Sequence, residues 1–499
     1  MGPFVEEVFK DSGVPKYTFV EPNEFTKLVV YLRTKGKGLV VEGPSGIGKT
    51  SGIKKAIEKL QLEDTVLELT ARDPEHLKRI ENIPNEGFRG IVIVDDFHRL
   101  EDHIKEALAD YMKILADRDD EKTKMVIVGI NKAGDSLIKF ANDLNNRIDT
   151  IRFKPALPEQ IFKLITNGET VLNLEIDTKD EISVAAQGSF HIAQILCKEL
   201  CLQAGVSEKV EDTKRLSVSL ELIKQNVYEN LDRTFAETAR IFATGPKIRR
   251  GGRAPYLHIL NWVSKNSEWT LELDLAIRAN PKHRSSVGQV VDKGNLYKFY
   301  TKKKQILEKV IHFDPNSNII GIEDPKFLFY LRNMDWNNFA RKIGYPNITF
   351  STMYDIALSF AGEERDIANQ LFKKLSSEEI SVFYDKNEQH RILAEDVEEY
   401  LGPIYRSEAR FILVLLSKNY PRKIWTKYES EQFKERFNGE VIPVWFSDAL
   451  PGMFDKTSAF GGITIDVSKK IEVQVSNIVE DIVKKLSEVR IQDRIKGIS

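Results

Sequence analysis

The chain has 499 residues, 41% of them hydrophobic and 30% charged, which excludes a disordered or fibrous protein and allows three or four domains. Its formal net charge of −2 excludes a general attraction to nucleic acid or anionic membranes, so any such preference must be local. The two cysteines, Cys197 and Cys201, exclude a disulfide framework and indicate a reducing compartment. No apolar run approaches the ~20 residues of a membrane span, and the chain does not open on a secretory signal. We therefore expect a soluble, cytoplasmic protein without a membrane partner.

The first motif along the chain is a glycine-rich loop at residues 43–50, which fits the pattern G-x-x-x-x-G-K-[ST]. An apolar run precedes the loop and a helical apolar spacing follows it, a context that a chance glycine-rich turn lacks. The loop is predicted to bind ATP, because its backbone N–H groups face the phosphates, Lys49 reaches the β- and γ-phosphates, and Thr50 ligates Mg²⁺. The predicted ATP-binding residues of the loop are Gly43, Ser45, Gly46, Gly48, Lys49 and Thr50.

A second apolar run, at residues 91–94, ends in the acids Asp95 and Asp96, about 45 residues after the loop. The run predicts a strand buried on both faces, and the carboxyl end of such a strand is where α/β sheets bind ligands. This is the Walker B pattern, in which Asp95 holds Mg²⁺ and Asp96 is catalytic because it polarises the attacking water. Acids at strand ends also cap helices, but the distance from the loop favours ATP hydrolysis.

Two polar residues extend this pattern, since Asn131 ends a third apolar strand and Arg147 precedes a fourth. The order of these features resembles AAA+ and related STAND ATPases over roughly residues 20–230. The resemblance implies that Asn131 senses the γ-phosphate and that Arg147 reaches the nucleotide of a neighbouring subunit. A surface arginine in an ion pair is the alternative for Arg147. In the helical lid that follows, the sensor motif of such lids is incomplete, so His191 is interpreted as a core or surface histidine, with a weak nucleotide contact as the alternative.

The middle of the chain is basic: residues 245–310 contain 14 Lys and Arg against five acids, a local excess of nine positive charges. Helical patterns there are followed by a predicted hairpin at residues 310–322, with turn residues at 314–318. Helices with a terminal hairpin suggest a winged helix. The basic segment 247–304 is interpreted either as a nucleic-acid site or as a packing domain that holds the closed state of an ATPase.

The last third restarts with the segment YDIALSFA at residues 354–361, which predicts a strand. Further strands are predicted at residues 381–385, 410–417 and 441–445, with helices between them. The pattern resembles a TIR domain over residues 353–488. Alternating strands and helices predict a flavodoxin-like parallel sheet.

TIR enzymes that cleave NAD⁺ have a glutamate four residues after a tryptophan, and Trp425 and Glu429 match that spacing. The resemblance implies that Glu429 is catalytic, since breaking the nicotinamide–ribose bond develops positive charge that a fixed carboxylate stabilises. Phe360, Ala361, Arg391 and Trp425 are then expected to line the NAD⁺ pocket. The alternative is a TIR domain that only scaffolds, with Glu429 facing solvent.

Together these patterns predict an α/β multidomain protein. Its expected domains are a P-loop AAA+/STAND core with a lead-in at 1–157, a helical lid at 158–235, a basic winged-helix-like domain at 236–345 and a flavodoxin-like TIR domain at 346–499. The resemblance implies a nucleotide-gated NAD⁺ hydrolase of prokaryotic anti-phage immunity, in which ATP drives homo-oligomerisation and the TIR domains cleave NAD⁺ to nicotinamide and ADP-ribose, linear or cyclic. A phage-derived trigger or a sensor protein is the expected partner. A non-enzymatic signalling scaffold and a nucleic-acid-dependent ATPase are the alternatives.

Overall fold

The computed structural model describes residues 2–129, 147–247, 253–350, 354–384, 409–422, 424–425, 440–449 and 462–496. The chain divides into two compact units, each assembled from separate segments. The first unit consists of Met1–Ser217, Leu231–Ala243 and His258–Arg332, and the second of Val218–Asn230, Thr244–Leu257 and Asn333–Ser499. None of the helices in the described segments has the length and apolar character that crossing a bilayer requires.

The strands, in chain order, are β1 Gly38–Glu42, β2 Val66–Thr70, β3 Gly90–Asp95, β4 Thr123–Gly129, β5 Ile148–Arg152, β6 Leu174–Ile176, β7 Lys214–Leu216, β8 Thr270–Glu272, β9 Ile311–Asp314, β10 Ile319–Ile322, β11 Tyr354–Ser359, β12 Val382–Phe383, β13 Ala409–Leu416, β14 Glu440–Phe446 and β15 Ile463–Ile465.

The α-helices, in chain order, are α1 Val5–Val8, α2 Phe25–Arg33, α3 Lys49–Leu60, α4 Pro74–Glu86, α5 Asp102–Asp117, α6 Pro158–Leu172, α7 Lys179–Ala185, α8 Phe190–Gln203, α9 Leu220–Thr244, α10 Pro255–Lys265, α11 Leu273–Ala279, α12 Gln289–Asp292, α13 Asn295–Lys302, α14 Lys304–Leu307, α15 Pro325–Arg332, α16 Trp336–Lys342, α17 Arg365–Ser377 and α18 Ile471–Lys496.

The first unit is built around a parallel sheet with the strand order β2-β3-β4-β1-β5. All five residues of β1 are buried, as its continuous apolar run predicts. Helices α4 and α5 cover one face of the sheet, where Ile80 and Leu108 pack into a core with Val92 and Ile127. Because the strands run in the same direction, the residues that follow β1 and β3 meet at one edge of the sheet.

The rest of the first unit contains the short parallel pair β6-β7 and an antiparallel sheet of order β8-β10-β9. The hairpin predicted at residues 310–322 is confirmed as β9 and β10, in which Asp314 pairs with Ile319. Asn318 closes the turn at φ 51°, a left-handed conformation that asparagine tolerates better than most residues. The winged-helix assignment of residues 236–345 and the four domain boundaries stay predictions.

The second unit contains a parallel sheet with the strand order β12-β11-β13-β14-β15. Its central strand β13 is buried along almost its whole length. Helices α17 and α18 cover one face, with Leu371 and Ile478 in its core. On the opposite face Ile412 and Val414 pack with Trp425 and Tyr420. The predicted α/β fold class, with a flavodoxin-like sheet in the last third, is confirmed.

Candidate functional site

The predicted ATP-binding loop lies between β1 and α3, at the carboxyl edge of the first sheet. Gly46 and Gly48 have φ of 77° and 92°, which glycine adopts without steric cost. Space is also limiting at Gly46, because a Cβ there would lie 2.7 Å from Cγ of Pro325. Pro325 begins helix α15, after the hairpin. The loop is therefore shaped by its own glycines and closely approached by the segment that follows β10.

Lys49 begins helix α3 and turns back onto its own loop. Its Nζ donates hydrogen bonds to the carbonyl oxygens of Gly43 and Pro44, each at 2.7 Å. Burial lowers the pKa of Lys49 to about 8, against the opposing charges of Asp95 and Asp96. An anionic group in the loop would favour the charged ammonium, so the position fits the phosphate contact predicted for this residue.

Thr50 and Asp95 provide the oxygen ligands that Mg²⁺ prefers. Thr50 Oγ1 donates to Asp95 Oδ2 at 3.4 Å, and the backbone N–H of Asp96 donates to Asp95 Oδ1 at 2.7 Å. Burial raises the pKa of Asp95, and the neighbouring Asp96 carboxylate raises it further. A buried carboxylate destabilised in this way gains from a nearby cation, so the donor set fits Mg²⁺.

Asp96 is held by neighbours that the sequence analysis did not assign. Arg72 donates to both of its carboxylate oxygens, from Nε at 2.7 Å and from Nη2 at 2.9 Å. Thr70 Oγ1 donates to Oδ2 at 2.9 Å. Burial alone would raise the pKa of Asp96, but the hydrogen bond and charge of Arg72 lower it below its usual value. The carboxylate is therefore ionised and already hydrogen-bonded to Arg72 and Thr70. Its catalytic role stays a prediction.

Arg72 also contacts Glu323, the residue that directly follows β10. Its Nη2 lies 3.2 Å from Glu323 Oε2, and Arg99 Nη2 lies 3.3 Å from the same oxygen. His98 Nε2 lies 2.7 Å from Glu323 Oε1. Arg72 thus connects the second Walker B acid to the hairpin segment. In the sequence, the one feature that could have indicated this role is that Arg72 lies two residues after β2, at the same sheet edge as Asp96.

A cavity of about 330 Å³ opens above the loop, within the size range of small-ligand sites. Its walls include Lys49, Asp95 and Glu323 together with Phe190 and His191 from the start of α8. The backbone N–H of His191 donates to the Gly46 carbonyl at 3.3 Å. His191, for which a core or surface position was favoured over a weak nucleotide contact, is therefore a wall residue of the candidate nucleotide site.

Arg147 lies at the opposite edge of the sheet from this cavity. It directly precedes β5, its carbonyl accepts from the Gly38 N–H, and its Nε donates to Asp117 Oδ1 at 2.7 Å. Its own loop is at the far end of β1, so a contact of Arg147 with nucleotide requires another copy of the chain. That role stays a prediction. Asn131 lies outside the described residues.

Lowering the pH is expected to weaken the first unit through Glu323. Burial alone would raise the pKa of Glu323, but His98, Arg99 and His312 lower it from 4.5 to about 2. Its carboxylate therefore contributes stability that is present above about pH 4.5 and lost as the pH falls towards 2. Between those pH values, the unfolding free energy of Glu323→Gln should fall less than that of the wild type. Urea titrations at several pH values measure it.

Glu268→Gln is the matched control, because Glu268 is exposed in the same region. Its pH dependence should follow the wild type. Parallel curves for the wild type and Glu323→Gln would contradict the assigned contacts.

Aromatic residues mark the carboxyl edge of the second sheet. Phe360 directly follows β11 and Tyr384 directly follows β12. Their rings stack with centroids 5.6 Å apart, and Phe372 packs against Tyr384 at 5.1 Å. Ligands of doubly wound sheets bind at this edge, and flat aromatic faces suit the rings of a dinucleotide.

A buried acid, Glu364, lies at the same edge and was missed by the sequence analysis. It is 8% exposed, and its Oε1 accepts from Asn419 Nδ2 at 3.0 Å. Burial raises its pKa, partly offset by hydrogen bonds from Ser417 and Asn419. Beside it, the hydroxyls of Ser359 and Tyr420 are 2.8 Å apart. The edge therefore carries a polar, partly buried cluster next to the aromatic stack.

The other residues predicted for the NAD⁺ pocket are distributed differently. Ala361 and Trp425 are buried, with exposed fractions of 0% and 1%, and Trp425 packs edge-on against Trp445 at a centroid distance of 5.3 Å. Arg391 and Glu429 lie outside the described residues. The predicted roles of all these residues in NAD⁺ binding and cleavage stay predictions.

Comparison with known families identifies this region. Residues 356–474 match the family model described as TIR domain. The C-terminal region is a TIR domain. A curated relative, the 3' cyclic ADP-D-ribose synthase AaTIR of Aquimarina amphilecti, is 31% identical over 137 residues. The match covers 26% of this chain and 40% of the relative, so the chain spans less than half of that protein's length.

Solved structures similar to the chain include Cdc6p from Pyrobaculum aerophilum, with a TM-score of 0.32, 14% identity, and coverage of 68% of this chain and 98% of that one. The Aeropyrum pernix ORC1 protein in complex with DNA has a TM-score of 0.37 at 12% identity, and the match covers 67% of this chain and 97% of that one. A Thermotoga maritima RuvB variant has a TM-score of 0.31 at 16% identity, and the match covers 43% of this chain and 76% of that one. In the first unit, the glycine-rich loop follows β1 and the acids Asp95 and Asp96 lie at the end of β3, in the order that the sequence predicts.

Replacing Trp425 by alanine is expected to destabilise the TIR domain by about 3–5 kcal/mol, the usual cost of truncating a large buried aromatic residue. The side chain is among the largest that are fully buried in the described part of the chain. Thermal unfolding followed by calorimetry measures the effect. Phe360→Ala, which removes a partly exposed ring at the sheet edge, serves as the control and should shift the transition much less.

Proposed function

We propose that this protein is a nucleotide-gated NAD⁺ hydrolase that acts as an immune effector. The observation that carries the proposal is that one chain joins a glycine-rich loop and the paired acids Asp95 and Asp96 to a TIR domain that is similar to a cyclic ADP-ribose synthase. The relative's name specifies a cyclic ADP-ribose product, so cyclic and linear ADP-ribose are both candidate products here. Each end of the chain has its own chemical task.

The TIR domain breaks the bond between nicotinamide and ribose. Nicotinamide leaves as a neutral group with the bonding electrons, so the departing ring needs no protonation. Positive charge then develops on the ribose, and the Glu429 carboxylate stabilises it, as carboxylates do in glycoside cleavage. The Phe360–Tyr384 stack is positioned at the sheet edge where a flat ring can pack. Water or a ribose hydroxyl attacks the sugar, which decides between linear and cyclic products.

The first unit binds the controlling nucleotide. Residues 43–50 cradle the phosphates through backbone N–H groups, and Lys49 exchanges its two carbonyl partners for phosphate oxygens. Thr50 and Asp95 hold Mg²⁺, which when bound supplies charge neutralisation at the phosphates. Asp96 orients the attacking water once it is freed from Arg72.

Arg72 is the proposed link between nucleotide state and conformation. In the described arrangement its guanidinium holds both oxygens of Asp96 and also contacts Glu323. Asp96 already accepts three hydrogen bonds, from Thr70 and Arg72, and opening a bond from Arg72 frees further acceptor capacity on its carboxylate for the attacking water. Glu323, at the end of the hairpin, then holds the released guanidinium. This arrangement supports a first unit whose hairpin segment responds to events at the Walker B acids.

Assembly is the proposed route from nucleotide to NAD⁺ cleavage. ATP-bound copies associate, with Arg147 of one copy directed at the nucleotide of the next, because its own site is at the far sheet edge. A guanidinium suits this task since it remains charged and binds phosphate oxygens in a fork. Association brings TIR domains together, and a phage-derived trigger or a sensor protein starts it. Loss of NAD⁺ then halts the infected cell.

Nicotinamide release from NAD⁺ tests the proposal. Purified chain is incubated with NAD⁺ and ATP, with and without phage lysate or DNA, and the products are separated by chromatography. We expect nicotinamide with either ADP-ribose or its cyclic form. No release under any condition would overturn the enzyme proposal and favour a TIR scaffold. DNA-dependent ATP hydrolysis without release, lost on neutralising Lys302, Lys303 and Lys304, would favour the nucleic-acid-dependent ATPase.

A further inference from the structure

Three metal-ligating side chains converge beside the candidate nucleotide site. His98, His312 and Glu323 each offer one ligand atom, and these atoms all lie within 4.8 Å of one another. The rings of His98 and His312 pack edge-on with centroids 5.1 Å apart. All three residues belong to the first unit.

The three side chains come from separate structural elements. His98 lies in the short turn Phe97–Arg99 that follows the Walker B acids. His312 lies on β9, and Glu323 directly follows its partner strand β10. The hairpin therefore brings two ligands to the third, although more than 200 residues of sequence separate them from His98. A group bound by all three would tie the Walker B turn to the hairpin.

The cluster contains buried polar atoms without hydrogen bonds. The side chains of His98 and Glu323 are 8% and 2% exposed. Within the described part of the chain, neither ring nitrogen of His98 has a hydrogen-bond partner, and neither does Glu323 Oε1. His98 Nε2 and Glu323 Oε1 lie 2.7 Å apart, within ion-pair distance. Buried groups in this condition are destabilising unless something binds them.

The two oxygens of Glu323 are used differently. Arg72 and Arg99 both contact Oε2, so Oε1 remains directed towards the two imidazoles. Guanidinium groups on one carboxylate oxygen, with the other oxygen on a metal, form the kind of outer shell that orients metal ligands. A simple His98–Glu323 ion pair would leave the convergence of His312 on the same point unexplained.

We propose that His98, His312 and Glu323 bind a divalent transition metal ion, Zn²⁺ being the class that this ligand set fits. Two imidazoles and one carboxylate are a recognised zinc ligand set that leaves a fourth position open, with ligand distances of about 2 Å. The ion fixes the hairpin against the Walker B turn, and His98 and Glu323 both line the nucleotide cavity. Binding of the ion at these three residues does not require that the TIR domain cleaves NAD⁺.

Metal titration of the full chain tests this site. Chelator-stripped, untagged protein in millimolar Mg²⁺ is titrated with Zn²⁺ against a chromophoric competitor, and separately with Co²⁺, whose visible absorption reports its coordination. The excess of Mg²⁺ covers the Thr50–Asp95 site. We expect one equivalent of Zn²⁺, and an affinity lowered more than about 100-fold in His312→Gln and in His98→Gln, since removal of outer-shell partners alone costs 10–100-fold.

His103→Gln is the matched control, because His103 is an exposed histidine of the same unit with a side chain 62% exposed. It should bind Zn²⁺ like the wild type. Wild-type protein that binds no Zn²⁺ in Mg²⁺, or His312→Gln and His98→Gln proteins that bind it unchanged, would overturn the proposal. The wild-type stoichiometry shows whether a site exists, and thermal unfolding of each variant without metal shows whether lost binding reflects lost folding.

Discussion

Replacing Glu429 by alanine is expected to reduce nicotinamide release at least about 100-fold, the scale of losing one preorganised group that stabilises transition-state charge. The loss should appear in kcat, because the carboxylate acts on charge that exists only in the transition state. NAD⁺ binding and ATP binding should change little. The measurement is steady-state nicotinamide release over a range of NAD⁺ concentrations, with ATP present throughout.

Glu378→Ala provides the control for this prediction. Glu378 is an exposed acid just after helix α17 of the same domain, so its removal changes the net charge by the same amount without touching the sheet edge. It should retain wild-type kcat. Undiminished release from Glu429→Ala would exclude this glutamate as the catalytic group and direct attention to Glu364, the buried acid at the same sheet edge.

Replacing Lys49 by alanine is expected to weaken ATP binding by at least about tenfold, since hydrogen bonds that involve a charged group contribute about 1.5–3 kcal/mol each. The same change should prevent ATP from promoting assembly. Isothermal titration gives the affinity, and sedimentation with and without ATP gives the assembly state.

Lys59→Ala is the matched control, because Lys59 lies on the same helix α3 with its side chain 57% exposed. It should bind ATP and assemble like the wild type. If Lys49→Ala binds ATP with unchanged affinity, the loop at residues 43–50 is not the nucleotide site.

The parallel sheets could be predicted from sequence because their signals are local. The apolar runs of β1 and β3 stand out on their own, since strands covered on both faces are apolar at consecutive positions. Several short strands could not be predicted in this way. β6 and β7 have three residues each and lie in a region predicted as helical, and β15 was not predicted. Three residues carry too little periodicity to identify a strand.

The residues of the candidate site also fall into two groups, those that a local motif identifies and those that only the fold brings together. The loop glycines, Lys49 and Asp95 belong to a contiguous motif or a fixed spacing, so sequence identified them. Arg72 and Glu323 are 251 residues apart, and only the packing of the hairpin onto the first sheet brings them together. The same packing places His98 beside His312. Contacts of this range depend on tertiary structure that no local pattern specifies.

Nucleotide bound at residues 43–50 is proposed to control NAD⁺ cleavage by the TIR domain. The most direct measurement is the rate of nicotinamide release with ATP, with ADP and without nucleotide, for the wild type and Lys49→Ala, each with and without phage lysate. The proposal predicts rapid release only from the wild type with both ATP and phage lysate, and slow release from Lys49→Ala in every condition. Release from both proteins at the same rate, whichever nucleotide is present, would contradict it.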